Sequence, residues 1–469
     1  MEHGPHLSEA KRKLLEQMRQ TGAGRSLSDS DFNGQARENP LRLSASQEQL
    51  WRLDQIAGKS SPLHNESITI HRHGLCHLEI VYRCLQEIVR RHESWRTTYK
   101  EVAGTPVQIV HPSINFKLDF SDLRSIPESE RTTKAIELAT HDAKLGFNLE
   151  HGPLFRARLT TIKDDEHKLF LTAHQSIVDG ITVFDIFPRE LTTLYESYAA
   201  GNVSPLPEPP AQFGDFSSWQ HRRLSGRARD QQLGYWQKQL AGSLPVLEWP
   251  NGGNRPEQQT YRGALHSFEF PPGLAQSLKE LARRQGVTLF MVMLAAFFRL
   301  LHRYTGQDDI VVGTLSPCGR KQNAFQRCMG YFLNPVALRA NIGGNPAMRA
   351  LLPQMREITL GAISNDDVTL DMIAEQMGIQ TNPSRHSFFT VALSLAPDVS
   401  PLPPGWSMTY MDVESGGARW DLYIEFSDRV EALVGRAQYN PDLFAESAIA
   451  QTVEEYRRLL EGIAAERDS

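Results

Sequence analysis

The stretch His167–Leu191, HKLFLTAHQSIVDGITVFDIFPREL, reads as a strand running into His174, a tight turn at Asp179–Gly180, and a helix beginning near Thr182. Just upstream, Leu154–Ile162 also has strand character. The charged segment Lys163–His167 supplies a turn, so the two runs are predicted to form a hairpin. If His174 continues the strand, its side chain and that of Gln175 point to opposite faces, because successive residues of a strand alternate. Taken alone an HxxxxDG string is common, and its plainest reading is a strand–turn–helix corner.

Outward from this corner the chain alternates helical and strand-like segments. Leu75–Arg91 and Thr182–Ala200 have helical apolar spacing, and the Pro-rich Gly201–Pro210 follows as a connector. Later come helices at Ala275–Gln285 and Leu289–Tyr304 and a strand at Asp309–Leu315. Strands at Leu422–Phe426 and Ala432–Ala437 and an amphipathic helix at Phe444–Ala464 close the chain. The pattern predicts a mixed α/β (α+β) protein in two comparable halves. Near the start, residues 7–20 suggest a short helix capped by Ser8, and Thr21–Pro40 has the polar, Gly- and Ser-rich composition of a tether. The expected division is 1–40 helix and linker, 41–220 first lobe with the corner motif, and 221–469 second lobe.

A formal net charge of −5 over 469 residues argues against a general binder of nucleic acid or anionic membrane. The longest apolar run, Leu289–Leu301, is broken by Arg299 and is too short to span a bilayer. Cys76, Cys84, Cys318 and Cys328 match no zinc spacing and are expected to be reduced thiols. Together with a polar start, these features predict a cytoplasmic, monomeric protein with no metal, no nucleic-acid partner and no membrane segment.

Further motifs stand around the corner, in order. They are LSASQEQLW (Leu43–Trp51), RHESWRTTY (Arg91–Tyr99) and LGFNLEHGPLFRARL ending at Leu159. FGDFSSW (Phe213–Trp219), LGYWQKQLAG (Leu233–Gly242), IVVGTLSPCGR (Ile310–Arg320) and MGYFLNPVALR (Met329–Arg339) follow. NPSRHSFF (Asn382–Phe389), RWDLYIEF (Arg419–Phe426) and YNPDLF (Tyr439–Phe444) complete the set. This series resembles the condensation domains of nonribosomal peptide synthetases from Leu43 onward, and the corner resembles their HHxxxDG signature. No adenylation, carrier or dinucleotide-binding motif is present, nor the DxxxxD of heterocyclisation domains.

The resemblance implies two chloramphenicol-acetyltransferase-like lobes in a V, with the active site in a tunnel between them. It implies a donor acyl group delivered as a 4'-phosphopantetheine thioester on an acyl or peptidyl carrier protein, with no cofactor bound by the chain itself. The acceptor is an amine, free or carrier-bound, and the product an amide. Holding two tethered substrates in near-attack geometry supplies much of the rate by itself. The motif's catalytic positions are His174, Gln175 and Gly180; Asp179, paired with Arg320, would hold the loop; Ser176 and Asn334 would line the substrate channel. For Asn334 and Arg339 a structural role is the plainer reading. Gly180 either lets backbone approach the thioester and offers its N–H to the oxyanion, or is a turn glycine. The basic run His221–Asp230 either faces an acidic carrier or is a solvated surface.

The sequence departs from the family at one decisive position. Gln175 stands where the second histidine is expected, and an amide cannot take a proton at neutral pH, although it accepts and donates hydrogen bonds. Losing a general base costs roughly two to four orders of magnitude. Two readings follow: an amide-forming enzyme with Gln175 as a positioning group, or a catalytically impaired platform that recruits a carrier protein or tailoring enzyme. A third is a His-to-Gln change introduced at this position.

Overall fold

In the computed structural model the described residues are 39–58, 61–249, 255–344, 346–396, 401–409, 412–429 and 432–465. The helix expected at 7–20 and nearly all of the expected tether lie outside them. The first half contributes strands β1 (Leu41–Arg42), β2 (Asn65–His73), β3 (Thr97–Val102), β4 (Thr105–Val110), β5 (Leu118–Asp122), β6 (Phe155–Lys163) and β7 (Glu166–His174). The second half contributes β8 (Ala264–Phe270), β9 (Asp309–Ser316), β10 (Asn334–Asn341), β11 (Val391–Leu395), β12 (Trp406–Thr409), β13 (Leu422–Asp428) and β14 (Leu433–Tyr439).

These strands build two large sheets and a small one. The first has the order β12-β2-β7-β6-β5, the second β10-β9-β11-β13-β14-β8, and β1-β4-β3 form the third. The predicted hairpin is β6–β7, with a register shift between Thr161 and Lys163 that twists its tip. One strand crosses over: β12, from the later half of the chain, pairs antiparallel with β2 in the first sheet, Trp406 opposite Arg72 and Thr409 opposite Thr69. A division by chain position at residue 220 therefore does not describe the first sheet.

Each large sheet packs on helices whose apolar spacing is visible in the sequence. In the first lobe, helix Leu78–Arg91 buries Val81, Cys84, Leu85, Ile88 and Val89, and β7 is buried on both faces from His167 to His174. In the second, helix Leu289–Thr305 starts on Thr288, whose hydroxyl accepts from the Met291 N–H, and stops at Gly306 in a left-handed conformation, φ 67°. Its buried Leu, Met, Val and Phe side chains are each worth about 1.5–3 kcal/mol when removed from water, so this helix anchors the larger of the two cores. Among the described residues no single helix is long and apolar enough to cross a membrane. The four cysteines are unpaired, and burial pushes the Cys76 thiol up to about 11 and that of Cys84 to about 12.

Candidate active site

The corner motif is assembled where the two lobes meet. Strand β7 ends at His174, which sits opposite Asn65 of β2, and Gln175–Ile177 form a single 3-10 turn. Two of the flanking motifs converge on this turn. Gln47 Nε2 donates to the Ser176 carbonyl at 3.0 Å, as does the Tyr99 hydroxyl at 3.0 Å, and Gln47 Nε2 also reaches Tyr99 Oη at 2.9 Å. Gln47 is itself held by a capping box with Ser44 at the start of helix Ala45–Ala57. The Gln175 N–H donates to the His64 carbonyl at 2.8 Å. The backbone at position 175 is thus fixed from both sides.

His174 is enclosed, 2% exposed, and its ring is fully committed. Nδ1 accepts from the Ser176 N–H at 3.2 Å and meets the Ser176 hydroxyl at 2.8 Å. That assigns the ring proton to Nε2, which lies 3.0 Å from Asp54 Oδ2. His64 Nδ1 approaches the other oxygen, Asp54 Oδ1, at 2.8 Å. Burial by itself would raise the Asp54 pKa, but the two imidazoles outweigh it and hold the carboxyl well below its ordinary range. Burial likewise keeps the His64 imidazole below its ordinary value. Asp54, His64 and His174 are close enough to share an ion. Their contacts with one another are at 2.8–3.0 Å, which reads as a structural triad, with His64 Nε2 the buried ring nitrogen that finds no partner among the described residues. With its lone pair occupied and its ring buried, His174 has nothing to offer a substrate.

Asp179 and Arg320 form a bidentate pair, Nε to Oδ2 at 3.0 Å and Nη2 to Oδ1 at 2.7 Å, with side chains 1% and 4% exposed. Asp179 Oδ1 also accepts from the N–H and the hydroxyl of Thr182, each at 2.8 Å. Arg320 Nη1 donates to the carbonyls of Phe325 at 2.8 Å and Cys328 at 2.6 Å, and the guanidinium lies 4.2 Å over the Phe332 ring. Every charged edge of the pair is satisfied, as burial demands. Thr182 closes the joint by receiving the Gly330 N–H at 3.2 Å. A side chain at Gly330 would collide with Phe213, its Cβ only 2.1 Å from a ring carbon, so MGYF requires its glycine. Gly180 is half-buried and opens the helical turn that follows Asp179. N–H groups in a first helical turn have no intrahelical acceptor.

Two expected channel residues are placed elsewhere. Asn334 is completely buried, and its Nδ2 staples the Asp366 and Val368 carbonyls, both at 2.8 Å. Ser176 turns its hydroxyl onto His174 and is 4% exposed. Both side chains are consumed by the protein's own hydrogen bonds, which leaves neither to a channel wall. Arg339 is likewise architectural, bidentate on Asp309 at 3.0 and 2.7 Å. In the basic run, His221 contacts the Leu43 carbonyl and Arg223 pairs with Asp367, while Arg222 and Arg227 are exposed.

A second charged group, which draws Glu425 from the RWDLYIEF motif and its other charges from outside the motif series, borders Gln175. The Gln175 Nε2 lies 3.4 Å from Oε2 of Glu66 on β2. Glu66 Oε1 receives Arg436 Nη2 from β14 at 2.7 Å, and the same nitrogen lies 2.8 Å from Glu425 Oε2 on β13. The Tyr423 hydroxyl donates to Glu425 Oε1 at 3.2 Å and is 2.5 Å from Ser394 Oγ. Burial pushes the Glu425 carboxyl above its ordinary value; Arg436 pulls it down, and the charge of Glu66 adds to the rise. Burial works against the Arg436 charge, but the two carboxylates hold that guanidinium protonated. Sequence reading misses this cluster because its members lie on strands of different lobes. The one signal is Glu425 and Arg436 directly opposite each other in a hairpin whose other strand positions are largely apolar.

The family model of the condensation domain matches residues 37–469. Chondramide synthase cmdD of Chondromyces crocatus is 33% identical over 431 residues, which are 91% of this chain and 11% of that protein. A phosphinothricin tripeptide synthetase of Streptomyces viridochromogenes, PhsC, is 32% identical over 434 residues, 92% of this chain and 40% of that protein. The chain therefore spans less than half the length of these curated relatives. Among solved structures, the first condensation domain of the calcium-dependent antibiotic synthetase in complex with substrate analogue 3a superposes with a TM-score of 0.81. It is 17% identical and covers 92% of this chain and 98% of that one. The X-domain from teicoplanin biosynthesis has a TM-score of 0.79 at 23% identity, covering 92% and 96%. At such identities these two likenesses concern the two-lobed fold.

Proposed function

The chain belongs to the condensation-domain family of nonribosomal peptide synthetases, and we propose that it joins a carrier-bound acyl thioester to an amine acceptor with Gln175 as a positioning group. The observation that carries this reading is the completeness of the frame around position 175. Gln47 and Tyr99 hold the turn, the Asp179–Arg320 pair holds the loop, and the His64 carbonyl holds the Gln175 N–H. A chain that had stopped supporting chemistry at this turn would have little use for so many buried polar contacts.

In the reaction the amine lone pair attacks the thioester carbon. The C–N bond forms, the C–S bond breaks, and the pantetheine thiolate leaves and takes up the proton that the nitrogen sheds. The Gln175 side chain accepts from the amine and orients its lone pair, while the N–H groups of the first helical turn at Gly180 face the developing oxyanion. The phosphopantetheine arm of the carrier is part of the substrate. The relatives more than 30% identical are peptide synthetases and synthases, which favours condensation over a recruiting platform.

The test is incubation with acyl-carrier thioesters and candidate amines, followed by intact-protein mass spectrometry. Loss of the acyl mass from the donor, with its gain by the acceptor, is the expected result. Tight binding of a carrier or tailoring protein with no product, from the natural chain and from Gln175→His alike, would replace this reading with the platform.

A further inference from the structure

We propose that Glu66 is the group that receives the proton from the acceptor amine, supplying from β2 the basic function that Gln175 lacks. The inference rests on the condensation reading above and names the residue that completes it.

Three observations lead there. First, the histidine retained in the motif is unavailable, since Nδ1 of His174 is bonded to Ser176 and Nε2 faces Asp54. Second, the ionisable side chain that Gln175 touches is Glu66. An amine held by the Gln175 amide therefore has a carboxylate beside it. Third, the cation beside Glu66 is not its own. Arg436 is one cation shared between two carboxyls, and it engages Glu425 through two nitrogens and Glu66 through one. The acceptor enters this step as the neutral amine, and a carboxylate oxygen beside it is placed to take the single proton that its nitrogen sheds.

Within the trio the two carboxylates are not equivalent. Glu425 is bound by both Nε and Nη2 of Arg436 and by the Tyr423 hydroxyl. Glu66 has one contact with Arg436 and keeps its Oε2 toward Gln175, so it is the member that stands beside the motif. The groups facing it are Arg436 from β14, Glu425 from β13 and Gln175 from the turn. The step balances within the reaction. As the C–N bond forms, the N–H proton passes to Glu66; as the C–S bond breaks, the proton passes on to the pantetheine thiolate and the carboxylate is restored.

The experiment compares turnover against pH for the natural chain, Glu66→Gln, Glu66→Asp and Glu66→Gln combined with Gln175→His, with one donor carrier and one amine. Melting curves confirm folding, since Glu66→Gln is isosteric and keeps an oxygen for Arg436. Glu66→Gln should lose about 10²–10⁴-fold in turnover, the range for a missing general base, with donor-carrier affinity unchanged. Its pH profile should lose the acidic limb. Glu66→Asp should recover part of the rate, and Gln175→His should restore much of it in the Glu66→Gln background. Turnover of Glu66→Gln within threefold of the natural chain, or a loss that Gln175→His cannot restore, overturns the inference alone. A natural chain silent with every substrate pair overturns the condensation reading and the inference with it.

Discussion

The Asp179–Arg320 pair and the Glu66–Arg436–Glu425 trio are both buried, both join the two lobes, and both stand at the corner motif. In the pair, one anion meets one cation, and six further hydrogen bonds to Thr182, Phe325, Gln326 and Cys328 engage the remaining donors and acceptors. In the trio two carboxyls share one guanidinium, and one oxygen of Glu66 is left facing Gln175. A balanced cluster suits a hinge that must not move. A cluster that leaves a carboxylate oxygen open suits, on the inference above, a group that receives a proton. The difference between architecture and chemistry is therefore read from which polar atoms a cluster leaves open as well as from motif membership.

The largest effect should come from breaking the balanced cluster. Asp179→Ala leaves the Arg320 guanidinium buried without its partner, a loss of about 3–5 kcal/mol that thermal melting should show directly. An Asp179→Ala protein with the natural melting temperature would erase the contrast between the clusters. Next is the triad behind the turn. Asp54→Ala removes the acceptor shared by two imidazoles and should cost about 1.5–3 kcal/mol. Because the folded Asp54 carboxyl is held below its ordinary value of 3.8, the unfolded chain binds the proton first. Its stabilisation is complete above that pH and drains away as the pH falls toward the lowered folded value. Acid-unfolding curves of the natural and Asp54→Ala chains should accordingly converge below it.

A smaller effect is expected at Gln175, where Gln175→Ala should slow product formation about tenfold, ~1.4 kcal/mol in the barrier, through lost orientation of the amine. Turnover indifferent to residue 175 would leave alignment by the lobes as the source of rate. Smallest is Tyr99→Phe. It deletes one of two donors to the Ser176 carbonyl and should cost about 0.5–1.5 kcal/mol in stability, measured by denaturant unfolding.

The hairpin Leu154–His174 and the helix Leu289–Thr305 are legible in the sequence because their signals are local: alternation, a charged turn, an unbroken apolar face. The contact of Asp179 with Arg320 is legible only because each lies in a motif of the series, the two being far apart in the chain. What the sequence conceals is pairing without a local mark. Glu425 and Arg436 face each other across the β13–β14 hairpin, but nothing near either of them announces Glu66, which comes from β2. Asn334 and Ser176 are expected at a channel because their motifs lie beside it. Their amide and hydroxyl are instead taken by the Asp366 and Val368 carbonyls and by His174, contacts that depend on the folded loop.

The crossing strand β12 has a consequence for how the chain is made. Strand β2 lies between β7 and β12, so until Trp406–Thr409 has been synthesised, its stretch Thr69–Arg72 presents unpaired N–H and C=O groups along one side. A first half leaving the ribosome by itself carries an open sheet edge, the kind of surface that recruits a neighbouring chain. The lobe that holds the corner motif is closed only by residues that arrive after β8–β11 of the other lobe, so the two sheets are completed within the same last stretch of chain.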